Sequence, residues 1–373
     1  MNESCPPRSP VTQADVILVG AGPIGIEMAV ALKTAGIDYI HLEARQFGHT
    51  ISWFPRYARF FSSPERIAIC GVPLMTTDQS KATREEYLNY LSAVVRQFDL
   101  SIRAYEPVLR IDRQEGQFEV ETSRAGARGY YRAARVILTI GDMHRPRPLE
   151  HPGFGSVAGT ELPHVSSYFV EPHPYISQRL LIVGGRNSAV EAAIRCHRAG
   201  AQVALSYRRP ELDPSVKYWL RPELEWLIKT GEIAFFGETV PTRITSQTVT
   251  LARCDAAGSP RIDEADLTQV AADFVLLLIG YQMDRSLLEM AGVRLLPPTG
   301  RPDLNPETNE TNVPGIYIAG TAVAGSQQRY KLFIENCHSH VVRILRHLTS
   351  RDPRHVNPLA YTRFHEQPFI EES

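Results

Sequence analysis

A glycine-rich turn near the start of the chain has the spacing of a dinucleotide-binding site. Gly20, Gly22 and Gly25 form the pattern G-x-G-x-x-G, and Glu43 follows at about the 20-residue offset typical of an acid that binds ribose hydroxyls. The first glycine permits a tight bend, the second lets a pyrophosphate approach the backbone, and the third lets helix and strand pack closely. These four residues predict one dinucleotide site.

The same scheme returns in the middle of the chain with different charges. Gly184 and Gly185 follow another apolar run, and Arg186 stands where the middle glycine would lie. The guanidinium of Arg186 can lie along a pyrophosphate. The next predicted strand ends without an acid and is followed by Arg208 and Arg209. Because a guanidinium binds the 2′-phosphate that a carboxylate would repel, this pair favours NADP over NAD, the alternative being a solvated surface pair.

Two dinucleotide sites in one chain indicate electron transfer between two cofactors. A nicotinamide gives a hydride, and a flavin accepts it and passes electrons onward. We therefore expect FAD in the first site and NADPH in the second. The residues themselves leave the final electron acceptor open.

Both glycine turns stand between a predicted buried strand and a predicted helix. Residues 15–20 and 38–44 read as strands around a helix that starts at Ile24, and residues 179–209 repeat this order. Further apolar runs that read as buried strands are 134–141, 274–280 and 315–320. The predicted fold class is α/β, with two Rossmann-like dinucleotide-binding domains, the NADPH domain being inserted into the FAD domain.

The remaining elements complete this plan. An amphipathic helix is predicted over 82–98, where Thr83 and Glu86 form a capping-box signature, and a last helix runs from about Tyr330 to Leu348. The predicted domain ranges are 1–165 for the first part of the FAD domain, 166–283 for the NAD(P)H domain, 284–350 for the second part of the FAD domain, and 351–373 for a C-terminal extension.

Composition excludes several other classes of protein. The chain has 373 residues, a formal net charge of -1 and 43% apolar residues, so no charge pattern points to nucleic acid or an anionic membrane. Its longest apolar run is too short to span a bilayer, and its first residues do not read as a secretory signal. The 5 cysteines are widely spaced and predict reduced thiols. We expect a cytoplasmic protein that acts on a small molecule.

A few polar side chains are candidates for the chemistry itself. His144, shortly after Gly141, is the best placed general acid, with a surface or capping histidine as the alternative. Cys337 is the nearest candidate for a redox-active thiol and Cys70 a second one, although each can simply pack as a small hydrophobe. The histidines are not spaced as metal ligands, since His338 and His340 point to different sides of a helix, so no metal is expected.

The order of motifs resembles that of thioredoxin-reductase-like flavoproteins with two dinucleotide-binding domains. That order is carried by GAGPIG, GGRNSAVEAA, LLLIGY and NVPGIYIAG. The family that it resembles most is the bacillithiol disulfide reductase (YpdA) family, whose segments are similar to residues 60–74, 162–175, 184–193, 214–233, 306–320 and 331–336. That resemblance covers nearly the whole chain. It implies an NADPH-dependent FAD enzyme that reduces the disulfide of a low-molecular-weight thiol, and it implies a homo-oligomer.

The resemblance also implies roles for individual residues. Those implied to hold FAD are Gly20, Gly22, Pro23, Ile24, Gly25, Glu43, Gly141, Gly320 and Thr321. Those implied to hold NADPH are Gly184, Gly185, Arg186, Asn187, Ser188, Arg208 and Arg209, with Gly280 near the nicotinamide. Lys331 would face the cofactor or an anionic substrate, or else form a surface pair with Glu335.

Two positions depart from the family pattern. Thr321 stands where thioredoxin reductases have an aspartate, and Ile24 stands where the YpdA family has a cysteine. Because isoleucine cannot attack a disulfide, the transfer of electrons beyond the flavin stays open. A flavin monooxygenase is one alternative, as a near match to its linker signature ends at His164 and Tyr168. A redox-sensing flavoprotein that binds NADPH is another.

Overall fold

The computed structural model describes residues 11–327 and 332–351. Its strands, in chain order, are β1 (Thr12–Val19), β2 (Tyr39–Leu42), β3 (Ile102–Arg103), β4 (Val108–Gln114), β5 (Gln117–Arg124), β6 (Ala127–Leu138), β7 (Arg145–Pro146), β8 (Glu150–His151), β9 (Gly155–Ser156), β10 (Val165–Ser166), β11 (Arg179–Val183), β12 (Gln202–Tyr207), β13 (Ala234–Gly237), β14 (Thr239–Ile244), β15 (Thr248–Arg253), β16 (Leu267–Ala271), β17 (Phe274–Leu277), β18 (Tyr281–Gln282), β19 (Leu295–Leu296), β20 (Arg301–Pro302) and β21 (Ile316–Ile318). Its α-helices are α1 (Pro23–Thr34), α2 (His49–Ser52), α3 (Pro64–Ile67), α4 (Arg84–Gln97), α5 (Asn187–Arg198), α6 (Arg221–Lys229), α7 (Ser286–Met290) and α8 (His338–Thr349).

The chain forms two compact units. Among the described residues, unit 1 comprises 11–52, 57–145, 282–327 and 332–351, and unit 2 comprises 53–56 and 146–281. The unit boundary at 145/146 comes well before the domain boundary predicted at 165/166. The reason is that β10 pairs with β17 of unit 2, and Leu149 and Val157 belong to the core of that unit. The second boundary, at 281/282, lies close to the predicted 283/284.

Unit 1 is built on a seven-stranded sheet with the order β3-β2-β1-β6-β5-β4, in which β21 also pairs with β6. β1 runs parallel to β2 and β6, and β21 runs parallel to the last residues of β6. The first half of β6 instead pairs antiparallel with β5. Because the carboxyl ends of parallel strands meet at one edge, the residues after β1, β2, β6 and β21 are brought together there.

Unit 2 contains a five-stranded parallel sheet with the order β10-β17-β11-β12-β13 and a three-stranded antiparallel sheet, β14-β15-β16. Side chains of β11 alternate between two cores, as the pleat requires. Leu180 and Ile182 pack in the cluster that contains the buried face of α5, whereas Leu181 and Val183 pack with residues of β14 and β15. Both faces of the parallel sheet are therefore buried, which explains its continuous apolar runs.

The predicted α/β class with two Rossmann-like units is confirmed. The capping box of α4 is present, since Thr83 Oγ1 accepts from Glu86 N at 3.2 Å and Glu86 Oε2 accepts from Thr83 N at 2.7 Å. The last helix was predicted too early: α8 begins at His338, and the turn before it, Ile334–Asn336, is a 3₁₀ helix. Phe333 N donates to Asn336 Oδ1 at 2.8 Å, so the Asn336 side chain caps this 3₁₀ turn.

Candidate cofactor-binding sites

The first glycine turn has the geometry that its spacing predicts. Gly20 has a φ of +100°, and a Cβ there would lie 2.6 Å from Thr139 O. A Cβ on Gly25 would lie only 2.1 Å from Gly20 O, so this glycine allows α1 to pack on the turn. Gly22 precedes Pro23 at the start of α1, and a Cβ there would meet nothing within 4 Å. The open side of Gly22 at a helix N-terminus fits a pyrophosphate group.

Glu43 lies beside this turn. Its Oε2 accepts from Ala21 N at 2.6 Å and its Oε1 accepts from Arg45 N at 2.8 Å. The carboxylate is therefore fixed by main-chain donors at the end of β2, next to the glycine turn. This is the position that an acid needs to reach the ribose of a dinucleotide held there.

His41 supports the same turn, and sequence reasoning missed it. The side chain is buried, and its Nε2 donates to Gly20 O at 2.9 Å. Burial lowers the pKa of His41 to about 4, so the ring is neutral. Its Nδ1 is buried and has no hydrogen-bond partner among the described residues. A histidine within an apolar strand carries no local sequence signal for this role.

The ends of β6 and β21 meet at Gly141 and Thr321. A Cβ on Gly141 would lie 3.8 Å from Thr321 Oγ1. Asp142, only 5% exposed, is hydrogen-bonded to the Thr321 side chain and accepts from Gln327 Nε2 at 3.0 Å. Burial raises the pKa of Asp142 against these hydrogen bonds. Thr321, which departs from the thioredoxin reductase pattern, is thus hydrogen-bonded to a buried carboxyl group in the turn that follows β6.

Ile24 and Gly320 are in contact. Ile24 is 5% exposed, and its Cβ would lie 3.6 Å from a Cβ on Gly320. Gly320 N in turn donates to Nδ1 of the buried His340 at 3.2 Å. Burial lowers the pKa of His340 to about 4, which keeps this nitrogen available as an acceptor. The structure therefore brings together the predicted FAD residues of the first glycine turn and of the last strand.

The second glycine turn closes around neighbouring side chains and strands. Gly184 has a φ of +140°, and a Cβ there would lie 2.4 Å from Leu278 O. A Cβ on Gly185 would lie 2.4 Å from the ring of Tyr207, so the ring of the β12 residue covers that glycine. The turn after β11 is thus packed against the ends of β12 and β17, as in unit 1 the first turn is packed against the end of β6.

Asp213 organises the charges of this second turn and was not predicted. Its Oδ2 lies 3.1 Å from Arg186 Nε and 3.4 Å from Arg209 Nη1. Burial would raise the pKa of Asp213, but hydrogen bonds from Ser215 and from Arg186 outweigh it and lower this pKa to about 2. Arg186 and Arg209 are therefore drawn together by one ionised carboxylate.

The other predicted NADPH residues lie around this cluster. Arg208 is exposed at the end of β12, and Ser188 is exposed in the first turn of α5. Asn187 Oδ1 accepts from Lys217 N at 2.8 Å, which ties α5 to the following segment. Gly280 has a φ of +96° and its carbonyl accepts from Arg147 N at 2.9 Å.

His144 has the geometry of a structural histidine. Its Nδ1 accepts from Asp284 N at 2.8 Å and its Nε2 donates to Ile140 O at 3.0 Å. Burial lowers the pKa of His144, consistent with a neutral ring. Both nitrogens are engaged by the main chain, which matches the structural alternative rather than a general acid.

Cys337 and Cys70 are buried free thiols, and burial raises the pKa of each well above its ordinary value. Within the described ranges, no group of three or more potential metal ligands occurs. His338 and His340 do bond to different partners, Glu27 and Gly320 respectively. Lys331 lies outside the described residues.

No helix in the described part of the chain has the length and apolarity needed to cross a membrane.

Comparison with known proteins agrees with this architecture. Residues 17–320 match the family model "Pyridine nucleotide-disulphide oxidoreductase". The chain is 35% identical to bacilliredoxin reductase Bdr of Bacillus subtilis over 342 residues, which cover 91% of this chain and 99% of the relative. The solved structure of bacillithiol disulfide reductase Bdr (YpdA) from Bacillus cereus is similar, with a TM-score of 0.82, 32% identity and coverage of 91% and 100%. The corresponding Staphylococcus aureus structure has a TM-score of 0.81 at 30% identity, with coverage of 91% and 99%.

These findings confirm the resemblance inferred from the motifs. The family match spans both glycine turns, and the two solved relatives cover the two units. The chain belongs to the pyridine nucleotide-disulphide oxidoreductase family.

Proposed function

We propose that this chain takes a hydride from NADPH bound in unit 2, transfers it to FAD bound in unit 1, and reduces a low-molecular-weight disulfide. The chain is a flavin oxidoreductase, and its cofactors are FAD and NADPH. Bound FAD supplies the chemistry of accepting two electrons from a nicotinamide and passing them onward. The observation that carries the proposal is the pair of similarly built glycine turns, one beside an acid and the other beside arginines.

Unit 1 has the features needed to hold FAD. The open side of Gly22 and the N-terminus of α1 would receive the pyrophosphate, and Glu43 would orient a ribose. Gly141, Gly320 and Thr321 would line the flavin half, because they follow β6 and β21 at the same sheet edge as Gly20. His41 would hold Gly20 O in place through its 2.9 Å hydrogen bond.

Unit 2 has the features needed to hold NADPH. Arg208 and Arg209 follow β12, where the 2′-phosphate of an adenosine ribose would lie. Arg186 would approach the pyrophosphate while Asp213 holds its guanidinium, and Asn187 and Ser188 open α5 toward the same group. Gly280 lies three residues after β17 and would leave room for the nicotinamide.

The disulfide as acceptor is supported by the relatives, whose names describe a bacilliredoxin reductase and a bacillithiol disulfide reductase. The experiment is to reduce the protein with NADPH without oxygen, and then to mix it with bacillithiol disulfide, oxidised glutathione, a quinone or oxygen. Fast reoxidation of the flavin by bacillithiol disulfide, and slow reoxidation by the others, is expected. A stable oxygen adduct would instead support a monooxygenase, and a flavin that none of these acceptors reoxidises would support a redox sensor.

That the protein is a homo-oligomer in the cytoplasm stays a prediction. Light scattering of the purified protein would test its oligomeric state.

A further inference from the structure

Ile24 lies in the first glycine turn of unit 1, close to the end of β21. It is the second residue of α1, and its Cβ lies 3.6 Å from the position that a Cβ on Gly320 would take. The proposed function places FAD against both the glycine turn and the end of β21, so the side chain at position 24 would lie beside the bound cofactor.

An aliphatic side chain at this position has no redox chemistry. Reduction of a disulfide through the protein requires a thiolate that attacks one sulfur and forms a mixed disulfide. Ile24 can form neither that thiolate nor that bond. Any thiol relay would have to use a cysteine elsewhere in the chain.

The described cysteines are poorly suited to a relay. Cys70, Cys196, Cys254 and Cys337 are all buried and unpaired. Burial raises the pKa of each of them, to about 12 for Cys196. For Cys70 and Cys337 the nearby carboxylate of Glu27 raises it further. Reactive cysteines have the opposite surroundings, exposed and electropositive.

We infer that Ile24 makes this chain a two-electron carrier without a thiol relay, so that the disulfide must reach the flavin site itself. The inference rests on the proposed function. NADPH supplies a hydride, which is two electrons and one proton, and solvent supplies a second proton. The S–S bond of the acceptor breaks and gives two thiols, while NADPH is oxidised to NADP⁺. No S–S bond of the protein forms or breaks.

The experiment is an anaerobic titration of the FAD-loaded protein, with dithionite in one series and NADPH in another. Flavin absorbance should be fully bleached by two electrons per FAD in both series. Samples taken before and after reduction are alkylated with iodoacetamide, and labelled cysteines are counted by mass spectrometry. The same number of labelled cysteines is expected in both samples. Cys5→Ser is the control for the one cysteine outside the described residues, and it should give the same electron count.

Uptake of four electrons per FAD, or two cysteines labelled only after reduction, would overturn the inference. Loss of that extra uptake in Cys5→Ser would identify Cys5 as the relay thiol and would overturn it equally. Because a single relay thiol adds no electrons to this count, the NADPH-reduced protein is also mixed with bacillithiol disulfide, quenched, and searched by mass spectrometry for a cysteine joined to bacillithiol. None is expected, and finding one would overturn the inference. The dithionite series keeps this separate from the proposed function. Bleaching by dithionite but not by NADPH would contradict NADPH as the donor, while the electron count and the search for a mixed disulfide in dithionite-reduced protein would still decide whether a thiol relay exists.

Discussion

Gly22 and Gly25 in the first turn have different roles. Gly22 would leave space for the cofactor, whereas Gly25 allows helix α1 to pack on the turn. A Cβ at Gly22 meets nothing within 4 Å, whereas a Cβ at Gly25 would lie 2.1 Å from Gly20 O. We expect Gly22→Ala to lose FAD and to leave the apoprotein as stable as wild type. Gly25→Ala should lose FAD and also lower the free energy of unfolding by about 3 kcal/mol, because backbone must move. FAD content per chain and urea unfolding of the apoproteins measure both. Equal stability of the two apoproteins would contradict this division.

The two arginines after β12 should differ in their effect on NADPH. Arg208 is exposed, whereas Arg209 lies 3.4 Å from the carboxylate of Asp213. A hydrogen bond to a charged group contributes about 1.5–3 kcal/mol, so Arg208→Ala should raise KM for NADPH roughly ten- to hundredfold. KM for NADH should stay unchanged, since it lacks the 2′-phosphate. Steady-state kinetics with both nucleotides measure this, with Arg209→Ala as the matched variant of smaller effect. Equal changes with NADPH and NADH would remove the 2′-phosphate assignment.

A cysteine at position 24 should speed up disulfide reduction. Ile24→Cys would place a thiol beside Gly320, where it can attack a disulfide that reaches the flavin site. We expect a higher kcat with bacillithiol disulfide as the acceptor. Ile24→Val keeps the aliphatic character and should leave that rate close to wild type. An unchanged rate with cysteine would contradict the prediction that a thiol at this position can reach the disulfide.

At the scale of residues, sequence reasoning finds what local spacing encodes and little else. The glycines, Glu43 and the arginines after β12 follow fixed offsets within one strand-turn-helix-strand segment. Asp142, paired with Thr321, and Asp213, paired with Arg186, come from segments that only the folded sheets bring close. A lone aspartate in a loop has no spacing that reveals such a partner.

Helices α1 and α8 are joined by a buried charged pair. His338 Nδ1 lies 2.7 Å from Glu27 Oε2, and its Nε2 donates to Arg66 O at 3.1 Å. Burial would lower the pKa of His338, but the carboxylate of Glu27 outweighs this and raises it above 6.5. The pair therefore stabilises the fold fully below about pH 6.5, and this contribution is lost as the pH rises through the higher pKa of the folded state.

Glu27→Gln tests this pair. Removing one charge of a buried pair should lower the free energy of unfolding by about 3 kcal/mol at pH 6. Wild-type stability should decline more steeply than that of the variant as the pH rises above about 6.5. Urea unfolding at several pH values measures both curves. Parallel curves for the two proteins would show that His338 does not gain a proton on folding. Glu65→Gln, at an exposed position of α3, is the matched control and should change neither value.

At the scale of elements, the regular segments were predictable and the irregular ones were not. The helix at 84–97 has a clear apolar periodicity and a capping box. The strands around each glycine turn are recognisable as apolar runs. The start of α8 was predicted too early because the side chain of Asn336, which bonds Phe333 N, leaves no trace in hydrophobic spacing. The antiparallel sheet β14-β15-β16 was not predicted either, since its short strands alternate only partly.

The molecule as a whole is proposed to hold two nucleotides, one in each of its two units. Repetition of the strand-turn-helix-strand order was readable from the sequence. The assignment of residues 146–165 to unit 2 was not, because it depends on the pairing of β10 with β17.

The most direct test of this claim is the stoichiometry of both nucleotides on the purified protein. Absorbance of released flavin should give one FAD per chain, and calorimetry on the FAD-loaded protein should give one NADP⁺ per chain. Rapid mixing with NADPH in the absence of oxygen should then bleach the flavin. A protein that stays colourless after FAD is supplied, or NADP⁺ that binds only by displacing FAD, would contradict the account.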